Sequence, residues 1–212
     1  MTTAPLDLIT KLREAEVIPH VLPDGVASIV NGPLLVRYPE YTISKGEAIP
    51  RAATLSQPEI EFPEADTSAS YTIIMTDPDL LKKHDTLSGQ VRHWLETGIK
   101  FDATSKRTTL STQPVARNDY GASKHRYVFI AAKEPAEYTG PQGKDYPLTG
   151  PADLKDRMKW SAKQYIQACF LLTEEGLTVE AVGWMEVDAD LAATMDNIAL
   201  TAEAIKNKVL GK

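Results

Sequence analysis

Between residues 26 and 62 the chain is cut by Gly, Pro and Asn into short runs: "VASIVNG", "PLLVRYP", "YTISKG" and "EIEF". Pro fixes φ and Gly and Asn open turn conformations, so elements this closely punctuated are strands sooner than helices. The rhythm predicts an all-β sandwich. Longer runs supply its central strands. "SYTIIMT" is nearly continuous in apolar residues, as a buried strand requires. "VRHWLETGI", "KHRYVFIAA" and the late "TVEAVGWMEV" read as further strands. A period of two puts His125, Tyr127 and Phe129 on one face of their strand, and Arg126 and Val128 on the other. The same alternation puts His93 with Leu95, and Trp94 on the opposite face.

Helices are expected around this frame. "PLDLITKLREAEVIP" carries Leu8, Ile9, Leu12, Ala15 and Glu16 at helical spacing, with Asp7 as a cap and Pro19 as the stop. "DLKDRMKWSAKQYIQACF" (153–170) is amphipathic enough for a second helix. From Asp190 to Val209 the residues Leu191, Met195, Ile198, Ala202, Ile205 and Val209 recur every three or four positions and predict a C-terminal helix. Residues 133–151 hold four prolines and three glycines and read as a long surface excursion, a lid or partner-binding loop. No composition shift divides the chain, so residues 1–212 are expected to form one domain.

A net charge of −6 argues against a nucleic-acid-binding surface. No apolar stretch approaches the roughly 20 residues that cross a bilayer, which argues against stable membrane insertion. The single cysteine, Cys169, allows no internal disulfide and lies in an apolar run. A cytoplasmic protein is the expectation.

Chemistry-bearing residues collect at strand ends. Asp77 and Asp79 close the first strong strand, His93 lies in the next, and His125 and Tyr127 begin the third. Asp-Pro-Asp after a strand is also an ordinary turn, and a lone histidine is often a core residue. Were the three strands to bring these residues together, Asp77 would orient two imidazoles. Their N–H groups and the Tyr127 hydroxyl would then face a small anion. The ligand types would also suit a metal, but no metal-binding spacing occurs and no cofactor is expected.

The stretches "MTDPD" (75–79), "HW" (93–94) and "GASKHRYVF" (121–129) resemble the two signatures of the phosphatidylethanolamine-binding protein family. "LREAEVIPHVLP", "LLVRYPEYTISKGEAIP" and "LTVEAVGWMEV" extend the likeness over most of the chain, toward the branch that contains the carboxypeptidase Y inhibitor; the family also includes the Raf kinase inhibitor protein. The resemblance implies a mainly β fold, a sandwich of two antiparallel sheets with peripheral helices. It also implies an anion pocket at one end, lined by Asp77, His93, His125 and Tyr127. Departures lie at the rim: Leu81 replaces a proline, and Arg117, Asn118 and Asp119 stand where a glycine and prolines are usual. Asp79 and these four are carried as candidate rim residues.

The expected function is therefore a non-enzymatic module. It would bind a small phosphate- or carboxylate-bearing molecule, such as a phospholipid headgroup, and inhibit a protease or kinase. The alternative is an enzyme that uses Asp77, His93 and His125 for acid–base isomerisation or cyclisation of a small metabolite.

Overall fold

The computed structural model describes residues 6–79, 89–109, 124–140, 157–173 and 176–188, with 168–173 described by backbone alone. Three helices are present among them: α1 (Leu6–Glu14), α2 (Val17–His20) and α3 (Ala162–Thr173). The strands are β1 (Gly32–Pro33), β2 (Leu35–Arg37), β3 (Thr42–Ile43), β4 (Glu47–Ile49), β5 (Glu59–Glu61), β6 (Tyr71–Asp77), β7 (Val91–Ile99), β8 (Arg107–Thr108), β9 (His125–Lys133) and β10 (Thr178–Val187).

Two sheets form. The larger has the order β1-β10-β9-β6-β7, with β4 also paired to β10. The smaller has the order β3-β2-β5-β8. The long strands pair antiparallel, while the short β1 and β4 run parallel to β10.

Alternation along the long strands builds three layers. Tyr71, Ile73 and Met75 of β6 face the small sheet, as do Tyr127, Phe129 and Ala131 of β9. There they meet Leu34, Val36, Ile43, Ile60 and Phe62 in a closed apolar interior. Ile74, Val128, Ile130 and Ala132 face the other way, where Leu8 and Leu12 of α1 and Ala162, Tyr165 and Ile166 of α3 cover them. Every residue of β6 is buried, which accounts for its nearly continuous apolar sequence. The crossing of β10 by the chain at Leu34 is so close that a Cβ on Gly183 would lie 2.2 Å from the Leu34 carbonyl oxygen.

Three local expectations are corrected. The first helix does not run to Pro19. It ends at Glu14, and Glu16 turns the chain with φ 53°. The Ala15 carbonyl is then taken by the Arg126 guanidinium. Asp7 lies in the first turn, and its carboxylate accepts from Lys45 Nζ at 2.6 Å. "VAS" belongs to a 3₁₀ turn over Asp24–Ser28 that drops Val26 into the helix-side core. The helix expected over 153–170 is interrupted within its described part: Lys159 takes φ 55°, Trp160 and Gln90 exchange backbone hydrogen bonds at 2.9 and 3.1 Å as an isolated bridge, and α3 starts at Ala162. Ser161 Oγ accepts from the Gln164 amide at 3.2 Å and caps α3. The C-terminal helix at 190–209, residues 141–151 of the excursion and the Cys169 side chain lie outside what is described.

Candidate functional site

Asp77 is the last residue of β6 and His125 the first of β9, so the pairing of these strands places both at one end of the sandwich. His125 Nδ1 donates to Asp77 Oδ2 at 2.7 Å, with both side chains almost wholly buried. His93 Nε2 lies 3.9 Å from the same oxygen. Tyr127 completes the group: its ring meets His93 edge-on at 5.1 Å and stacks near His125 at 6.5 Å. Three strands distant in sequence thus bring together the four residues singled out from it.

His93 reaches this group against the simple alternation. Met75 pairs with Trp94, but Thr76 pairs with Arg92, so His93 is an extra residue with no partner on β6. Such a bulge re-aims a side chain. The imidazole turns toward Tyr127, which belongs with Trp94 to the core between the sheets, whereas Leu95 packs on the helix side. The expectation that His93 shares a face with Leu95 is corrected by this bulge. Period-two reasoning has no signal for an inserted residue.

Burial pushes the Asp77 carboxyl up, yet hydrogen bonds and charge from His125 and then His93 outweigh it, and the group is held well below its ordinary value of 3.8. The other oxygen, Oδ1, accepts the Asp79 amide at 2.7 Å and fixes the Asp-Pro-Asp turn. With Nδ1 engaged by Asp77, His125 presents Nε2, which is buried and has no hydrogen-bond partner among the described residues.

Asp79 stands elsewhere. Its Oδ2 accepts the Arg126 amide at 2.9 Å and Nε at 2.8 Å, while Oδ1 accepts Nη2 at 2.7 Å. Neither side chain is exposed. Arg126 projects from β9 on the face opposite His125 and Tyr127, so Asp79 serves the helix side of the sheet. Leu81, Arg117, Asn118 and Asp119 lie outside the described residues. Among the described residues no group of three or more His, Cys, Asp or Glu could hold a metal ion.

Two supporting residues were not singled out from the sequence. Alternation places Arg126 only on the face opposite His125, although an arginine within a buried central strand implies a buried acid. Gln90, 7 % exposed, accepts from Thr76 Oγ1 at 3.0 Å and from the Ala162 amide at 3.1 Å, tying β6 to the start of α3. Nothing in the sequence around Gln90 announces that role.

Comparison with known proteins gives one consistent result. The sequence pattern of a family described as "Phosphatidylethanolamine-binding protein" matches residues 37–166. An uncharacterized protein of Saccharomyces cerevisiae is 28% identical over 142 residues, covering 60% of this chain and 70% of that protein. The 26 kDa secreted antigen of Toxocara canis is 29% identical over 99 residues, and the match spans 47% of this chain but only 37% of the antigen. Among solved structures, the phosphatidylethanolamine-binding protein from Plasmodium vivax superposes with a TM-score of 0.65 at 21% identity, over 86% of this chain and 97% of that one. The carboxypeptidase Y inhibitor, solved in complex with its cognate proteinase, gives 0.61 at 18% identity, over 87% and 96%. At these identities the structural likeness establishes the fold.

Proposed function

The chain belongs to the phosphatidylethanolamine-binding protein family, and from that premise we propose that it is a ligand-binding module whose pocket of Asp77, His93, His125 and Tyr127 receives a small anion. The observation that carries this reading is the sharing of Asp77 Oδ2 by two imidazoles, at 2.7 Å from His125 and 3.9 Å from His93. A carboxylate so placed fixes the direction of the rings, so that their nitrogens are aimed and not free to turn. Two oriented donors suit a phosphate monoester or a carboxylate, the charged part of a phospholipid headgroup or a metabolite.

Inhibition of a protease is the partner activity that the neighbours support, since one of them was solved bound to its proteinase. The contacts would come from loops, which differ most between relatives. A cytoplasmic setting belongs to the same proposal. Among the described residues no helix is long and apolar enough to cross a membrane.

Calorimetric titration with inorganic phosphate, phosphoethanolamine and acetate tests the pocket. His125→Ala is expected to weaken phosphate by at least roughly tenfold, the loss of one charge-assisted hydrogen bond. Unchanged affinity would remove the pocket from the function.

The same 2.7 Å contact supports a second reading, an Asp–His pair that moves a proton in an isomerisation or cyclisation. Incubation with candidate metabolites, with conversion lost in Asp77→Asn, would favour it. Recovery of every ligand unchanged favours the binding module.

A further inference from the structure

A concave site lies at the same end of the molecule as the Asp77 group. Tyr38, Pro39, Glu40 and Tyr41 form a tight turn, closed by backbone bonds from the Tyr38 amide to Tyr41 O at 2.8 Å and from the Tyr41 amide to Tyr38 O at 3.3 Å. Facing the turn is the segment after β4, with Pro50, Ala52, Ala53 and Ser56. Between them is a cleft of about 320 Å³. Its place follows from register. Ile49 is level with Val187, and Val187 with His125. Two interstrand spacings, roughly 10 Å, therefore separate the backbones of Ile49 and His125. The cleft begins one residue further on, at Pro50, and shares no lining residue with the Asp77 group.

Its chemistry is the reverse of that group's. The walls are two tyrosines, two prolines and two alanines, so most of the surface offered to a ligand is apolar or aromatic. The polar groups are Glu40, the two phenols and Ser56. Among the described residues, no lysine, arginine or histidine lines it. Among the described residues, the Glu40 carboxylate has no ion-pair partner. Tyr38 is 5 % exposed and its hydroxyl is buried without a hydrogen-bond partner among them. Arg37 Nε donates to Glu61 at 2.7 Å and Lys45 Nζ to Asp7 at 2.6 Å, and Arg51, between Pro50 and Ala52 in the chain, is not among the residues that line the cleft.

We propose that this cleft is a binding site for an organic cation, an ammonium or guanidinium group carried on an apolar stem. The stem would lie along Pro39, Pro50, Ala52 and Ala53. The charge would meet Glu40 and the electron-rich faces of the tyrosines, which attract cations and not anions. An anion would find neither a donor cation nor an oriented imidazole here. The site is independent of the anion pocket and does not need that pocket to be functional.

The test is an NMR titration of the full chain with butylammonium, with butan-1-ol as its neutral counterpart and N-acetyl-lysine methylamide as a peptide-borne ammonium. Shifts confined to the amides of 38–41 and 50–56 are expected, with butylammonium at least about fivefold tighter than butanol and Glu40→Gln losing about that factor. The amide spectrum of Glu40→Gln outside 38–41 and 50–56 should match that of the unaltered chain, which excludes a general loss of structure. Tighter binding of the lysine derivative would assign the cleft to a basic side chain of a partner protein, and tighter binding of butylammonium to a small amine. Equal affinity for butanol, or no effect of Glu40→Gln, would overturn the proposal and leave an apolar hollow.

Discussion

Arg126 and Asp79 meet as a buried fork: Nε and Nη2 of the guanidinium donate to the two carboxylate oxygens at 2.8 and 2.7 Å, and neither side chain is exposed. A third bond runs from the guanidinium to the Ala15 carbonyl, joining the Asp-Pro-Asp turn to the end of α1. Removing one partner of such a pair strands a charge in the interior. Asp79→Asn or Arg126→Met should each cost about 3–5 kcal/mol in urea unfolding. The double change Asp79→Leu with Arg126→Met should recover much of that loss. Single changes that leave the midpoint in place would mean that the pair contributes nothing.

Asp77 titrates lower in the folded chain than in the unfolded one, because hydrogen bonds from His125 and His93 overcome the upward push of burial. A depressed carboxyl contributes stability that is fully present above its unfolded value, near 3.8, and is lost as pH falls toward the folded value. The melting temperature should therefore fall more steeply with acid below about pH 4 than it does in Asp77→Asn. Parallel curves for the two proteins would show that the Asp77–His125 bond carries no such linkage.

Much of this arrangement was legible because the relevant physics is local. The spans of β6, β7, β9 and β10 follow from apolar runs and alternation, and alternation alone puts His125, Tyr127 and Phe129 on one face. What escaped depends on contacts between distant segments. The early end of α1 is set by where the chain turns at Glu16 and by Arg126. The break in the chain just before α3 is set by the Trp160–Gln90 bridge. The face of His93 is set by a residue inserted into one strand only. Propensity and period describe one segment at a time and cannot register any of these three.

Gly183 should tolerate no side chain. An added Cβ would sit 2.2 Å from the Leu34 carbonyl oxygen, and that oxygen is backbone held by the passage of the chain from one sheet to the other. Gly183→Ala is expected to lower stability by about 1–3 kcal/mol or more. Gly25→Ala, where nothing lies within 4 Å, should leave stability within about 0.5 kcal/mol. Equal melting temperatures for the two variants would contradict the close crossing.

Deleting His93 separates the bulge from a regular strand. In the bulged register Arg92 is level with Thr76 and Trp94 with Met75, so Arg92 and Trp94 already lie on opposite faces as neighbours should. Arg92 stands over the Trp160 ring at 5.8 Å on the helix side, and Trp94 packs between the sheets. Removing the inserted residue would close β7 onto β6 without turning any other side chain over. The shortened protein should fold and keep the packing of Trp94, seen as unchanged tryptophan fluorescence, while its phosphate affinity drops as far as in His93→Ala. In a strand without a bulge the same deletion would flip every residue on one side of the cut to the wrong face. An unfolded or aggregated product would therefore speak against the bulge.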